Sequence, residues 1–325
     1  MREMPAGAEG QGAVADAVPL NWVDRRAPAS WRPFLRLSRL DRPIGTWLLF
    51  LPCLWGLGLA GMATGALGLR DLWIGLGCAG GAALMRGAGC TWNDLADRHI
   101  DARVARTRSR PLPSGQVTPR AAALWMAAQA GVAFLILLTF PLPAILWGLA
   151  SLLPVALYPF AKRVTWWPQA VLGVAFNWGA LVAFAAHAGE VTGAAVVLWL
   201  AGLAWTLFYD TIYAHQDAED DALIGVRSTA RLFGERTPRW LLLFLAATVL
   251  AMATAALLTG AGALPAALGL AGAAGMGAHL LGQLRRFDPA DGPGLLRLFR
   301  SNRDAGVIPA AALLLAAWLG QAPPL

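Results

Sequence analysis

Nine stretches of this chain are apolar over about 17 to 25 residues, the length at which a helix crosses a hydrocarbon layer. They lie near residues 44–63, 72–96, 120–139, 142–160, 166–187, 192–213, 239–259, 262–283 and 304–320. Inside a bilayer each backbone polar group must find its partner within the segment, so runs of this kind can be little other than helices. The Pro and Gly residues scattered through them are tolerated there. The expected fold is all-α and polytopic, with nine transmembrane helices.

Charge tests the count. Of the 26 Lys and Arg residues, all but Arg70 and Arg86 fall in 1–43, 97–119, 161–165, 214–238 and 284–303 or at their margins. Nine crossings place all five segments on one side, as the positive-inside rule requires, and one missed span would scramble the pattern. This predicts a cytoplasmic N-terminus and a periplasmic C-terminus. A single Lys against 25 Arg, with many Ala and Gly, suggests a GC-rich bacterial genome, so the expected location is a bacterial inner (cytoplasmic) membrane. Hydrophobic residues at 57% and charged residues at 14% exclude a soluble domain. The net charge of +7 does not imply nucleic acid, because the basic residues are dispersed among loops rather than gathered on a face.

Residues 1–33 lack the apolar core of a signal peptide and read as an unordered cytoplasmic tail, leaving 34–325 as the membrane domain. Phe34, Leu35, Leu37 and Leu40 interleave with Arg36, Arg39 and Arg42, a pattern for a short amphipathic helix on the membrane surface. Cys53, Cys78 and Cys90 lie in apolar stretches without metal-site spacing and read as packing thiols.

Two acidic clusters break the apolar pattern. The first ends the second span with Asn93, Asp94, Asp97 and Asp101. At about 100° per residue, Asn93, Asp97 and Asp101 lie within about 80° of one another, Asp94 sits at the margin, and Arg86 projects near Asp97. The second ends the sixth span, where Asp210, Asp217 and Asp221 form another stripe with Tyr213 beside it. His215 is the nearby residue that could join it, although a polar residue at a helix end is commonly just solvated. Stacked carboxylates repel unless a cation compensates them, and oxygen donors alone favour Mg²⁺ completed by phosphate oxygens and water. Each cluster is trailed by arginines, Arg106 and Arg110 after the first and Arg227 and Arg231 after the second. Carboxylates, Mg²⁺ and arginine together suit a diphosphate whose lipid tail stays in the bilayer. Ordinary solvated loop charge would explain either cluster singly, but not two with matching periodicity and trailing arginines. Arg86, ionisable and inside a span, needs a partner.

From Leu35 to the last helix the chain resembles the intramembrane aromatic prenyltransferases of the UbiA type. The likeness rests on "RLDRPIGTWLLFLPCLWGL" at 39–57, "NDLADRHID" at 93–101, "RTRSRPLPSG" at 106–115, "YPFAKR" at 158–163 and "YDTIYAHQDAEDDALIGVRSTARLFG" at 209–234. These blocks look like the 4-hydroxybenzoate polyprenyltransferase branch. The resemblance implies nine helices around a central cavity open sideways to lipid. It implies transfer of a polyprenyl group from polyprenyl diphosphate to the ring carbon ortho to the hydroxyl of 4-hydroxybenzoate, in ubiquinone biosynthesis. Carried over by position, Asn93, Asp97, Asp101, Asp217 and Asp221 are the Mg²⁺–diphosphate residues, and Arg106, Lys162 and Arg110 bind diphosphate oxygens. Asp94, Asp210 and Tyr213 join the substrate-binding set. Arg42 or Arg86 is the candidate cation for the aromatic carboxylate, and Tyr158, Trp178, Trp205, Phe208 and Tyr213 are candidate cavity residues. Other acceptors (homogentisate, dihydroxynaphthoate, a porphyrin) are the nearest alternative. A secondary transporter is a more distant one, since transporter sites lie near the midplane.

Overall fold

A computed structural model describes residues 21–102, 107–218, 222 and 225–321. Their regular structure is helical: α1 (Trp22–Arg26), α2 (Arg32–Leu37), α3 (Ile44–Thr64), α4 (Leu69–Asp101), α5 (Pro119–Leu137), α6 (Leu142–Ala150), α7 (Leu152–Val164), α8 (Pro168–Ala188), α9 (Gly193–Ala214), α10 (Thr229–Phe233), α11 (Thr237–Leu258), α12 (Ala263–Arg285) and α13 (Gly292–Leu319). Pro near the start of α2, α8, α11 and α13 presets the backbone where an N–H would be orphaned anyway. Gly189 in the left-handed region (φ 81°) closes α8.

Seven helical stretches among the described residues are long and apolar enough to cross a membrane. The two remaining sequence spans fall in α4, of 33 residues, and α13, of 28, both longer than a crossing requires. Arg86 and many Gly dilute α4, while Arg297, Arg300, Arg303 and Asp304 occupy the first half of α13. The polytopic all-helical fold therefore stands, with seven spans marked by composition alone. The expected span at 142–160 is two helices, α6 and α7, parted at Ser151, whose hydroxyl donates to the Gly148 carbonyl at 2.6 Å.

The chain forms two compact units, Met1–Gly45 with Leu84–Val132 and Thr46–Ala83 with Ala133–Leu325. In the first, two expectations are corrected. Residues 21–33, assigned to an unordered tail, contain α1, which Asn21 caps by accepting from the Val23 and Asp24 amides. Asp24 then pairs with Arg36 at 2.7 Å, and the Trp22 indole donates to the Leu40 carbonyl at 2.7 Å. Arg36 and Arg39, assigned to the wet face of an amphipathic helix, are 6% and 7% exposed. Interleaved charge looks the same in sequence whether its partner is water or a buried carboxylate. Trp125 packs on Phe34 and Trp31 and donates to Ser38, which bonds Gln129 at 2.9 Å, so the α2 turn is fastened to α5.

In the second unit the core is built from Trp55, Trp205, Tyr209, Phe184 and Phe208, all fully buried. Between apolar helices in lipid, close contact and hydrogen bonds replace the hydrophobic drive. Gly56 shows the first: a Cβ there would lie 2.1 Å from the Ala180 carbonyl oxygen of α8. Trp55 shows the second, donating to the Gly306 carbonyl at 2.8 Å, as does Trp205, donating to Asn302 at 2.9 Å. Large apolar side chains such as Leu69, Leu72, Leu124, Leu153 and Leu250 are well exposed, as lipid-facing surfaces require.

Candidate active site

The first acidic stripe occupies the last three turns of α4. Asp94 and Asp97 are fully buried and Asp101 is 6% exposed, while Asn93 is half-buried. Carboxylates removed from water need compensation. Arg39 provides it for Asp94, donating to both oxygens at 2.7 and 2.9 Å. Arg110 lies 3.1 Å from Asp101 and 3.6 Å from Asp94, so it bridges two members of the stripe. The loop that carries it is anchored by Thr107, whose hydroxyl donates to the Asp101 carbonyl at 2.8 Å. Arg106 and Asp221, both expected in the site, lie outside the described residues.

Arg86 projects from α4 onto the first turn of α3. A Cβ on Gly45 would fall 2.3 Å from its Nε, so only glycine leaves the guanidinium that position. Arg42, the other candidate for an aromatic carboxylate, already holds a protein carboxylate: its Nη2 is 3.0 Å from the buried Asp41.

In the second unit, Asp210 and Tyr213 sit in the last turns of α9, and Asp217 ends a tight 3-10 turn, His215–Asp217. All three are half-buried. The change from α to 3-10 geometry breaks the 100° arithmetic between Asp210 and Asp217. The Tyr213 ring lies 4.4 Å from that of Phe299, His215 bonds Thr237 at 3.1 Å, and Thr211 bonds Thr229 at 2.7 Å. Lys162 lies in the last turn of α7, where its carbonyl accepts from the Arg227 amide at 3.3 Å. Arg227 and Arg231 both lie over the Trp166 ring, at 5.7 and 5.5 Å.

Of the aromatic candidates, Trp205 and Phe208 are core packing and Trp178 donates to the Trp147 carbonyl at 2.8 Å; Tyr158 is half-buried on α7. Sequence reasoning missed Arg39 as a partner of Asp94 and Asp41 as a partner of Arg42. The signal available for Arg39 was a buried aspartate 55 residues away, which spacing alone does not reveal. Among the described residues no three His, Cys, Asp or Glu side chains form a metal cluster. The oxygen-only donors on α4 nonetheless fit a hard cation that takes few protein ligands and fills its shell from phosphate.

A family model described as "UbiA prenyltransferase family" matches residues 49–302. The Rattus norvegicus protein "4-hydroxybenzoate polyprenyltransferase, mitochondrial" is 45% identical over 288 residues, covering 88% of this chain and 75% of its own length. The apo structure of a UbiA homolog from Aeropyrum pernix K1 has the same fold, with a TM-score of 0.67, 24% identity, and coverage of 83% of this chain and 97% of that one. A UbiA homolog from Archaeoglobus fulgidus, bound to GPP and Mg²⁺, gives a TM-score of 0.61 at 20% identity over 88% of this chain and 98% of that one. The relatives correct one expectation. Proteins at this level of identity from rat, mouse and human carry mitochondrial names, so a bacterial inner membrane is not supported, and what stands is a membrane protein. Residue composition carried the bacterial reading, and composition does not report which membrane a chain enters. With its match spanning most of the chain and a relative this similar, the protein belongs to the UbiA prenyltransferase family.

Proposed function

We propose that the protein transfers a polyprenyl group from polyprenyl diphosphate to the ring carbon ortho to the hydroxyl of 4-hydroxybenzoate, serving ubiquinone biosynthesis. The observation that carries the reading is the end of α4: buried Asp94, Asp97 and Asp101 beside Arg39 and Arg110, on a helix whose preceding turns are apolar. Such an arrangement can meet a charged headgroup at the membrane edge while the isoprenoid tail remains in lipid. The name of the rat relative supports the acceptor, and the Archaeoglobus homolog bound to GPP and Mg²⁺ supports an allylic diphosphate with a divalent metal. On this reading α4 and α13 also cross the membrane, giving nine spans.

Asn93, Asp97 and Asp101 would hold Mg²⁺ on α4, and Asp217 and Asp221 are the corresponding candidates in the second unit. When bound, the metal supplies neutralisation of the charge that develops on the departing diphosphate. Arg106 and Arg110 are the candidates to grip diphosphate oxygens, a task that guanidinium forks suit, and Lys162, an ammonium, is the candidate in the second unit. Arg42 and Arg86 are the two candidates for the aromatic carboxylate, and Arg42 also pairs with Asp41. Asp210 and Tyr213 border the second stripe, where the Tyr213 ring on Phe299 presents an apolar wall that excludes water from a developing allylic cation. The electron-rich ring attacks that carbon and then releases its ortho proton. The substrates and the surrounding membrane lipid are the partners implied.

The test is prenylation of labelled 4-hydroxybenzoate by membranes containing the protein, with a polyprenyl diphosphate and either Mg²⁺ or chelator. Product that forms with metal and disappears with chelator is expected. Undiminished turnover in excess chelator would discard the metal-diphosphate mechanism, and preference for homogentisate or dihydroxynaphthoate would replace the acceptor.

A further inference from the structure

Arg39 stands where a side chain is a liability. After α2 the chain reverses through two hydrogen bonds, Leu40 N–H to Leu35 O at 3.1 Å and Arg39 N–H to Arg36 O at 3.0 Å. These are the six-to-one and five-to-two bonds of a Schellman turn, whose left-handed apex residue is usually glycine. Here the apex is Arg39 with φ 55°, the one non-glycine residue with positive φ among those described. A strained conformation persists where the surroundings over-determine it. The surroundings are specific: Arg39 is 7% exposed, its Nη1 donates to the Arg36 carbonyl at 3.0 Å, and its Nη2 donates to both oxygens of the fully buried Asp94. Asp94 is one helical turn from Asp97, and its carboxylate also faces Arg110, which reaches on to Asp101.

We infer that Arg39 and Asp94 are positioning residues for the diphosphate site, an inference that rests on reading the end of α4 as that site. The pair locks the α2 turn to the α4 turn that presents Asp97, and through Asp94 it aims Arg110 at Asp101. Neither residue touches substrate. Asp94, expected from sequence to be a substrate ligand, spends its charge on arginine instead.

A mutant cycle separates the two roles. Arg39→Gln, Asp94→Asn and the double variant are compared for binding of Mg²⁺ with inorganic diphosphate by calorimetry, for thermal unfolding, and for kcat and KM. Each single variant leaves a buried charge without its main partner and should weaken binding about 10-fold, whereas the double variant replaces the ion pair with two amides and should recover to within about 3-fold. Arg39→Gly relieves the turn but removes the guanidinium, and it should bind as poorly as Arg39→Gln. A double variant no better than Asp94→Asn would make Asp94 a direct ligand and overturn the proposal. A fully competent Arg39→Gly would reduce Arg39 to a turn residue and overturn it equally. Wild-type protein that fails to bind the metal diphosphate removes both site and proposal, while one that binds it but prenylates no 4-hydroxybenzoate loses only the acceptor.

Discussion

The two acidic stripes look alike in sequence and are built differently. On α4, Asp94, Asp97 and Asp101 are buried, and arginines Arg39 and Arg110 supply counter-charge to Asp94 and Asp101. At the end of α9, Asp210 and Asp217 are half-buried, and the helix has already tightened into a 3-10 turn before Asp217. The trailing arginines differ in the same sense: Arg110 bridges carboxylates, whereas Arg227 and Arg231 lie over Trp166 and Arg227 donates to the Val164 carbonyl at 2.9 Å. Matching periodicity therefore does not mean matching burial. One stripe is buried near arginines, and the other stands half-buried where the α-helix gives way to a 3-10 turn.

The largest effects should come from the carboxylates. Asp97→Asn and Asp217→Asn should each lower turnover on the order of 10²-fold, since each removes charge needed to organise the leaving group. The glutamate substitutions divide the stripes. Asp97→Glu forces a methylene into a fully buried site and should cost about as much as the asparagine, while Asp217→Glu, half-exposed, should retain activity within about 10-fold. Equal losses in the two glutamate variants would erase the distinction between a buried and a half-buried stripe.

A smaller contrast is expected from the arginines. Arg110→Gln should lower kcat/KM for the diphosphate substrate about 10-fold or more, because a bridging charge between two buried carboxylates is lost. Arg227→Gln, which loses a stacking and carbonyl contact, should stay within about 3-fold. Reversal of that order, read by steady-state kinetics, would mean that the second cluster's arginines are the ones that grip the leaving group.

The smallest change probes Arg86. Gly45→Ala places a methyl where the guanidinium lies, and KM for the aromatic acid should rise about 3- to 10-fold with little change for the diphosphate substrate. An unchanged KM for the acid would remove Arg86 from acceptor binding.

Seven of the nine expected spans were legible because a bilayer dictates both their length and their apolarity. The α4 stripe was legible because a helix keeps a fixed period through residues 93–101. What stayed hidden depends on contacts between distant residues. Arg36 and Arg39 carry the spacing of a surface helix, and only the fold supplies Asp24 and Asp94 as their partners. A lone Ser151 in an otherwise apolar run does not by itself announce a break, since membrane helices carry serine, and α1 is too short and too polar to register as a helix before Asp24 finds Arg36.

One consequence follows from where the α4 aspartates stand. A helix carries a partial negative charge at its C-terminus, so anions in its last turns are disfavoured and cations favoured, by roughly 0.3–1 kcal/mol per charge at exposed positions. Asp101 is the last residue of the 33-residue α4, within the turn where that charge is felt, and Asp97 stands one turn earlier. Dipole and Asp101 carboxylate add in the same sense, so Arg110 is drawn to the helix end by both. On the proposed function the same local potential would favour a divalent cation there, and a diphosphate would arrive with its counter-ion.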